Sequence, residues 1–83
     1  MEKVLMGIHA PTIQAVYDAF VPRDVRIGDL AGIIANGLAE LSDGKYGVSG
    51  HEMLSLKEPE ELLDPRLTLQ DYNVRDGMQL FIL

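Results

Sequence analysis

The sequence predicts an α+β domain in which one mixed sheet of four to five strands carries one helix packed across one of its faces. Apolar residues alternate in two early runs, recur at helical spacing in one central run, and alternate again near the end. The early runs are residues 3–10 and 13–21, the helical run is 27–41, and the later runs are 53–56, 62–63 and 78–83. A single helix among several strands favours one sheet covered on one side.

The first two runs predict a β-hairpin. Val4, Met6 and Ile8 point to one face of the first run, and Leu5, Gly7 and His9 point to the other. The breaker Pro11-Thr12 separates this run from the second one. Pro22 follows the second run and is expected to end that strand, since proline cannot donate to a strand ladder.

The central run predicts a helix of about four turns. Its apolar stripe consists of Ile27, Leu30, Ile34, Leu38 and Leu41. Ser42-Asp43-Gly44 is expected to stop the helix, whereas Arg26 is a weak cap at its start. Three internal glycines each cost about 1 kcal/mol relative to alanine, and we expect them to let the helix sit close to the sheet. These glycines are Gly28, Gly32 and Gly37.

The second half predicts three short strands and one helical turn. Residues 53–56 form a strand with Leu54 and Leu56 inward, and residues 62–63 form a brief edge strand after an acidic turn. Residues 67–72 suit a one-turn helix, for which Thr68 is a possible cap. Residues 78–83 then form the last strand.

Composition limits the classes of function. The 83 residues predict a single domain, 1–83, and the absence of cysteine removes thiolate chemistry. The net charge of −6 argues against nucleic-acid binding and against anionic membranes. No stretch matches a signal peptide or the roughly 20 apolar residues of a membrane span, so we expect no membrane insertion and a cytoplasmic location.

No pattern of metal or cofactor ligands is present in the sequence. His9 and His51 are the only histidines, and neither has a second ligand at metal-binding spacing. The glycines of residues 42–51 match neither a phosphate-binding loop nor a dinucleotide fingerprint. We therefore expect no metal, no cofactor and no catalytic residues, and thus a protein that is not an enzyme.

The segment Thr68-Leu69-Gln70-Asp71-Tyr72-Asn73-Val74 resembles Thr-Leu-Ser-Asp-Tyr-Asn-Ile of ubiquitin. The resemblance implies a ubiquitin-like β-grasp fold. It also implies that the Tyr72 hydroxyl pins the neighbouring loop to nearby backbone. Ubiquitin continues into a mobile tail that ends in Gly-Gly, whereas this sequence stops at Leu83, the last residue of its last predicted strand. We expect docking rather than covalent attachment.

A second resemblance covers nearly the whole chain, from Lys3 to Leu83. Its carriers are Lys3-Val4-Leu5, Tyr17-Asp18, Val21-Pro22, Arg26-Ile27-Gly28, Glu40-Leu41-Ser42-Asp43-Gly44 with Tyr46, Leu67-Thr68-Leu69 and Val74-Arg75-Asp76-Gly77. In this order they are similar to the small YukD/EsaB-like proteins of bacterial type VII secretion systems. This resemblance implies a cytosolic, non-catalytic accessory whose partner is a membrane component or ATPase of that system. In actinobacterial systems a similar domain is fused to the membrane channel.

The outer face of the predicted sheet is the candidate binding site. Leu5, Phe20, Phe81 and Leu83 point away from the helix in the predicted register, and Val16 is a further candidate. A contiguous apolar patch on a small domain usually marks an interaction surface. This face is expected to bind a secretion component or a second copy of the chain. Two alternatives stay open: a strand shifted by one residue would turn some of these side chains inward, and scattered surface apolar residues need have no role.

Three functions remain compatible with these observations. The first is the protein-interaction module described above. The second is a ubiquitin-type modifier or sulfur carrier, which needs an activated C-terminal glycine. The third is a small β-grasp subunit of an enzyme complex. The first fits the sequence best, since no nucleophile is accompanied by a recognisable His and carboxylate pair.

Overall fold

The computed structural model describes residues 2–83, which contain one five-stranded sheet and one α-helix. The strands are β1 (Lys3–Ala10), β2 (Ala15–Pro22), β3 (Leu54–Leu56), β4 (Glu61–Leu62) and β5 (Met78–Ile82). The helix α1 spans Ile27–Leu41, and two 3₁₀ turns span Pro11–Ile13 and Gln70–Tyr72. The strand order is β2-β1-β5-β3-β4, with β1 and β5 parallel and the other pairs antiparallel. The predicted mixed sheet with one helix is confirmed.

The core lies between one face of the sheet and α1. Alternate strand residues point into it, as expected for a sheet with one covered face. The buried strand residues are Val4, Met6, Ile8, Ala10, Val21, Leu54, Leu56, Leu80 and Ile82. The helix contributes Ile27, Leu30, Ala31, Ile34, Ala35 and Leu38. Leu41 was expected in this stripe but is 62% exposed, because it lies in the last turn, beyond the part of the helix that the sheet covers.

The start of α1 is satisfied by backbone groups rather than by a capping side chain. Arg26 occupies the N-cap position and makes no side-chain cap. Instead the Ile27 N–H donates to the Leu67 carbonyl at 2.7 Å and the Gly28 N–H donates to the Pro65 carbonyl at 2.9 Å. These contacts supply acceptors for amides that a helix cannot pair internally.

The helix ends where the sequence predicts. Asp43 and Gly44 adopt positive φ angles of 55° and 83°, and the Gly44 N–H donates to the Ala39 carbonyl at 2.8 Å. Left-handed residues after the last turn are the usual way to terminate a helix. With 15 residues, α1 is the longest helix of residues 2–83, and none in that range is long and apolar enough to cross a membrane.

The prediction that three helix glycines allow close contact with the sheet is wrong. A Cβ built on Gly32 or Gly37 would meet no atom within 4 Å. Gly28 does have a close neighbour, but this neighbour is Pro65, whose Cβ and carbonyl oxygen would lie 3.2 and 3.3 Å from the added carbon. Only Gly28 therefore reflects close packing, and it packs against the connection between β4 and β5.

Two polar contacts fix the connections in the second half of the chain. The Asp64 N–H donates to the Tyr72 hydroxyl at 2.9 Å, which confirms the loop-pinning role predicted for Tyr72. The Glu52 carboxylate accepts hydrogen bonds from the backbone N–H groups of Ser49 and Gly50 at 2.6 and 3.1 Å. Because the Ser49 N–H stabilises the charged carboxylate, the pKa of Glu52 is lowered.

Candidate protein-interaction surface

The outer face of the sheet carries the four side chains singled out in the sequence, and the strand register determines how they are grouped. Leu5 on β1 lies directly opposite Phe20 on β2. Leu5 is half-buried, whereas Phe20 is 66% exposed. We call Leu5 and Phe20 the corner pair, since they lie at the Pro22 end of the edge strand.

The other two predicted residues lie further along β5. Phe81 pairs with His9 of β1 and with Ser55 of β3. The rings of His9 and Phe81 contact each other, with centroids 5.2 Å apart and an interplanar angle of 59°. Leu83 exchanges two backbone hydrogen bonds with Met53, at 2.9 and 3.0 Å, so these residues are cross-strand neighbours.

The register places a row of side chains across all five strands. Its members are Val16 on β2, His9 on β1, Phe81 on β5, Ser55 on β3 and Leu62 on β4. Leu83 and Met53 lie in the next row on the same face. We call Val16, His9, Phe81, Leu62, Leu83 and Met53 the apolar band. Val16, Leu62 and Leu83 are each more than half exposed, which leaves much of this apolar surface open to solvent.

Polar residues separate the corner pair from the apolar band. The intervening row contains Asp18, Gly7 and Gln79. The Gln79 side chain lies over Gly7, where a Cβ would collide with it. Gln79 Oε1 also accepts a 2.7 Å hydrogen bond from His9 Nε2, and the Gln79 amide nitrogen donates to the Gly77 carbonyl at 3.0 Å. The four predicted residues are therefore on one face but in two groups.

Sequence reasoning missed three members of the apolar band. The alternation of the first run placed His9 on the same face as Leu5, but His9 was weighed as a metal ligand and left out of the patch. In the structure its position on β1 alternates with buried Ile8 and Ala10. Met53 precedes inward-pointing Leu54, and Leu62 precedes buried Leu63. In each case the alternation with a core residue places the neighbour on the outer face, and this signal was present in the sequence.

Acidic side chains border the band beside β4. Glu58, Glu60 and Glu61 are exposed, and Asp64 follows them. Asp64 forms a salt bridge with Arg66 at 2.8 Å. The hydrogen bonds from the Arg66 side chain and backbone hold the pKa of Asp64 at about 2, below its ordinary value of 3.8.

The rest of the described chain offers little for metal chemistry. Within residues 2–83 no group of three or more His, Asp or Glu side chains is arranged to hold a metal ion. His51 is exposed, and its backbone N–H donates to the Ser49 hydroxyl at 3.0 Å. The geometry of the outer face is suited to burying apolar side chains against another protein.

Comparison with known proteins identifies the fold. No protein-family model and no curated protein matches the sequence. Among solved structures, the ubiquitin-like domain of the Mycobacterium tuberculosis type VII secretion protein EccD1 is 17% identical, with a TM-score of 0.64 and coverage of 100% of this chain and 99% of that one. The EccD5 ubiquitin-like domain from Mycobacterium xenopi is 20% identical, with a TM-score of 0.65 and coverage of 100% and 97%.

A third similar structure is a chain of the MycP5-free ESX-5 inner membrane complex. It is 19% identical, with a TM-score of 0.70, and the match covers 100% of this chain and 21% of that one. All three identities are too low to carry function, but the agreement over the full length of this chain settles the architecture. This chain has the ubiquitin-like β-grasp fold.

Proposed function

We propose that this chain is a non-catalytic protein-interaction module that binds a component of a bacterial type VII secretion system in the cytoplasm. The observation that carries the proposal is the apolar band, whose members lie on β2, β1, β5 and β4 and next to β3, on the face of the sheet opposite α1. Exposed apolar surface of this kind costs solubility unless a partner covers it. The YukD/EsaB-like sequence features and the fold shared with EccD domains support a secretion component as that partner.

Binding is proposed to be non-covalent and to centre on Phe81. This side chain is half-buried, is held by the His9 ring, and lies in the middle of the row, so its position is fixed before a partner arrives. Aromatic side chains with fixed positions lose little conformational entropy on binding and are common energetic centres of interfaces. Leu83 extends the same surface, while Leu5 and Phe20 form a second contact region beyond Gln79.

The candidate partners are the membrane channel component and the ATPase of the secretion system. A second copy of the chain is the remaining candidate. In each case the partner would bury the apolar band, and the exposed glutamates beside β4 would favour a basic rim on the opposing surface.

The test is calorimetric titration of the chain into the purified cytosolic domains of the channel component and of the ATPase from the same cell. We expect Phe81→Asp to weaken binding at least tenfold, because it places a charge in the centre of a desolvated surface. Asn36→Asp is the matched control, since Asn36 is exposed on α1, on the opposite side of the molecule. Undiminished binding by a folded Phe81→Asp variant would refute the proposed surface.

Two further readouts distinguish the alternatives. Light scattering over a concentration series detects a dimer, and loss of that dimer in Phe81→Asp would assign the apolar band to self-association. Intact-mass spectrometry of the chain recovered from its cell tests the non-covalent nature of the complex. A species joined through its carboxyl terminus to another protein would contradict the proposal.

A further inference from the structure

The strand β2 is an open edge of the sheet. It pairs with β1 on one side only, through an unbroken register from Lys3 opposite Pro22 to Ala10 opposite Ala15. Eight regular residues without a bulge are long for an exposed edge, which proteins usually shorten, twist or cover to avoid unwanted pairing. The backbone of this strand is therefore available to a ligand.

The alternation of hydrogen bonds between β1 and β2 shows which backbone N–H and C=O groups of β2 have no partner in the sheet. The Arg23 N–H donates to the Glu2 carbonyl. Because the hydrogen-bonding direction alternates along an antiparallel strand, the backbone N–H and C=O groups of every second residue before Arg23, such as Val21 and Ala19, point towards β1. Leu5, which lies opposite Phe20, instead bonds towards the β5 side: its N–H donates to Asp76 Oδ1 and its carbonyl accepts from the Gly77 N–H.

It follows that Val16, Asp18 and Phe20 direct their N–H and C=O groups outward. Within residues 2–83 these three backbones make no hydrogen bond outside the strand ladder. Pro22, at the next outward position, has no N–H to leave unsatisfied. The edge thus presents donors and acceptors at alternate residues, which is the pattern that an added strand pairs with.

An apolar groove runs beside this edge, between β2 and α1. Its volume is about 190 Å³, below the roughly 300 Å³ at which small-molecule sites begin. It is lined by Tyr17, Ala19, Phe20, Ile33, Gly37 and Leu41. Ile33 and Leu41 are both more than half exposed, and Gly37 has no neighbour within 4 Å of an added Cβ. The groove suits a few aliphatic side chains rather than a cofactor.

Exposed carboxylates lie on both sides of this edge. Glu40 is exposed on α1 seven residues after groove-lining Ile33, which places it two turns along the same side of the helix. Asp18 is exposed on β2, with its side chain on the outer face of the sheet. Arg23, the basic side chain that follows β2, is already paired with Glu2 at 2.7 Å. This charge distribution favours a ligand that carries lysine or arginine.

We propose that the β2 edge and the adjoining groove bind an extended peptide, with aliphatic residues at alternate positions and a flanking Lys or Arg, which adds a sixth strand to the sheet. Backbone pairing with Val16, Asp18 and Phe20 holds the peptide extended. Its alternate side chains then point to the α1 side of the sheet, where they cover Ile33 and Leu41. The site uses the backbone groups of Val16 and Phe20, whose side chains belong to the outer face, but it uses no part of Phe81. A partner centred on Phe81 can therefore be bound at the same time.

A second copy of the chain is a poorer occupant of this edge. Two copies each carry a net charge of −6, and two-fold antiparallel pairing centred on Asp18 would bring the two Asp18 carboxylates side by side. Like charges directly opposite each other destabilise a strand pair. A basic peptide meets neither obstacle.

The test is NMR titration of the ¹⁵N-labelled full chain with a panel of short synthetic peptides in which Val, Ile or Leu alternates with Thr between terminal lysines. We expect the Val16, Asp18 and Phe20 amide signals to shift and their hydrogen exchange to slow at least tenfold, while Gln79 and Phe81 signals stay in place. Peptides with a central proline, or with glutamates in place of the lysines, should bind at least tenfold more weakly.

Gly37→Leu provides the variant test, because its side chain would fill the groove while remaining compatible with a helix. Gly32→Leu is the matched control, since Gly32 also has open space around it but does not line the groove. We expect Gly37→Leu to weaken peptide binding at least tenfold and Gly32→Leu to leave it unchanged. Phe81→Asp should also leave it unchanged, which separates this site from outer-face docking.

Three results would overturn the proposal. One is the absence of edge-amide shifts with every peptide of the panel. Another is a response confined to Phe81, Leu83 and Met53, with the Val16, Asp18 and Phe20 amides unshifted. The third is equal binding by Gly37→Leu and the unsubstituted chain. Concentration-dependent shifts of the same three amides without peptide would assign the edge to a second copy instead, and would likewise contradict the peptide as its ligand.

Discussion

The hydroxyl of Tyr72 accepts a 2.9 Å hydrogen bond from the backbone N–H of Asp64, which joins the second 3₁₀ turn to the segment that leaves β4. This contact is partly buried and spans eight residues of chain. It closes a loop whose neighbouring carbonyls, from Pro65 and Leu67, also serve the start of α1. A single hydroxyl therefore stabilises the connection on which the helix start depends.

We expect Tyr72→Phe to lower the free energy of unfolding by about 1–2 kcal/mol, because it leaves the Asp64 N–H without its acceptor in a partly buried site. Urea denaturation followed by circular dichroism measures this change. Tyr17→Phe is the matched control: Tyr17 is also half-buried, and within residues 2–83 its hydroxyl has no hydrogen-bond partner. A loss of equal size in both variants would contradict the role assigned to the Tyr72 hydroxyl.

The ion pair between Asp64 and Arg66 predicts that the stability of the folded chain depends on pH. The pKa of Asp64 is held at about 2 in the folded chain, below its ordinary value of 3.8, so the folded state is favoured by the ionised carboxylate. This contribution is fully present above about pH 4 and is lost as the pH falls through about 2. Carbon-detected NMR titration of the Asp64 carboxyl measures the pKa on which this contribution depends.

Arg66→Gln isolates the cause of that shift. Without the guanidinium, which contacts the carboxylate at 2.8 and 3.1 Å, the pKa of Asp64 should rise towards 3.8. Arg75→Gln serves as the control because Arg75 is an exposed arginine outside this ion pair. An unchanged Asp64 titration in Arg66→Gln would show that another group is responsible.

Two helix glycines are expected to respond differently to substitution by alanine. Gly32→Ala should raise the free energy of unfolding by about 0.5–1 kcal/mol, because the added methyl meets no atom within 4 Å and alanine is the better helix former. Gly28→Ala should give a smaller gain or a loss, since Pro65 lies 3.2–3.3 Å from the added carbon. Thermal unfolding of both variants measures the difference. Equal stabilisation by both would mean that Pro65 moves aside freely.

The Glu52 carboxylate is expected to hold the loop between α1 and β3 in one conformation. Glu52→Gln removes the negative charge from the side chain that accepts hydrogen bonds from the Ser49 and Gly50 backbone N–H groups. We expect this change to lower the free energy of opening the loop by about 1 kcal/mol. We expect hydrogen exchange at these two amides to accelerate about fivefold while that of Leu56 stays the same. Glu60→Gln, on the exposed turn before β4, is the matched control.

The pKa of Tyr46 offers a second check on the same loop. Burial, together with the nearby Glu52 carboxylate, raises the pKa of the Tyr46 hydroxyl. In Glu52→Gln the contribution of the charge disappears while that of burial stays, so the pKa of Tyr46 should fall but remain above its ordinary value of 10.0. Ultraviolet titration of tyrosinate records this change once the other tyrosines are assigned.

Periodicity predicted the secondary structure well because burial imposes it directly. The first strand, Lys3–Ala10, and the helix, Ile27–Leu41, have the limits that their apolar patterns indicate. The second strand begins at Ala15 rather than at Ile13, because the breaker at Pro11 continues as a 3₁₀ turn through Ile13 and ends at Gln14, which has a φ of 52°. Alternation alone does not reveal where such a turn ends.

The grouping of the outer-face residues was harder to predict, because it depends on the register between strands that are distant in sequence. The parallel pairing of β1 with β5 puts Gly77, not Phe81, beside Leu5. Phe81 lies four residues further along the strand, which is about 13 Å. No local pattern near Leu5 or Phe81 encodes this offset.

The carbonyls of Leu67 and Pro65 that complete the first turn of α1 are made about forty residues after the amides they serve. During synthesis on the ribosome, the segment 27–41 therefore emerges without the acceptors for its leading amides, and it carries glycines that disfavour an isolated helix. Stable helix formation must wait for the segment around Leu67, so α1 gains its order only after the segment that supplies these carbonyls has been made.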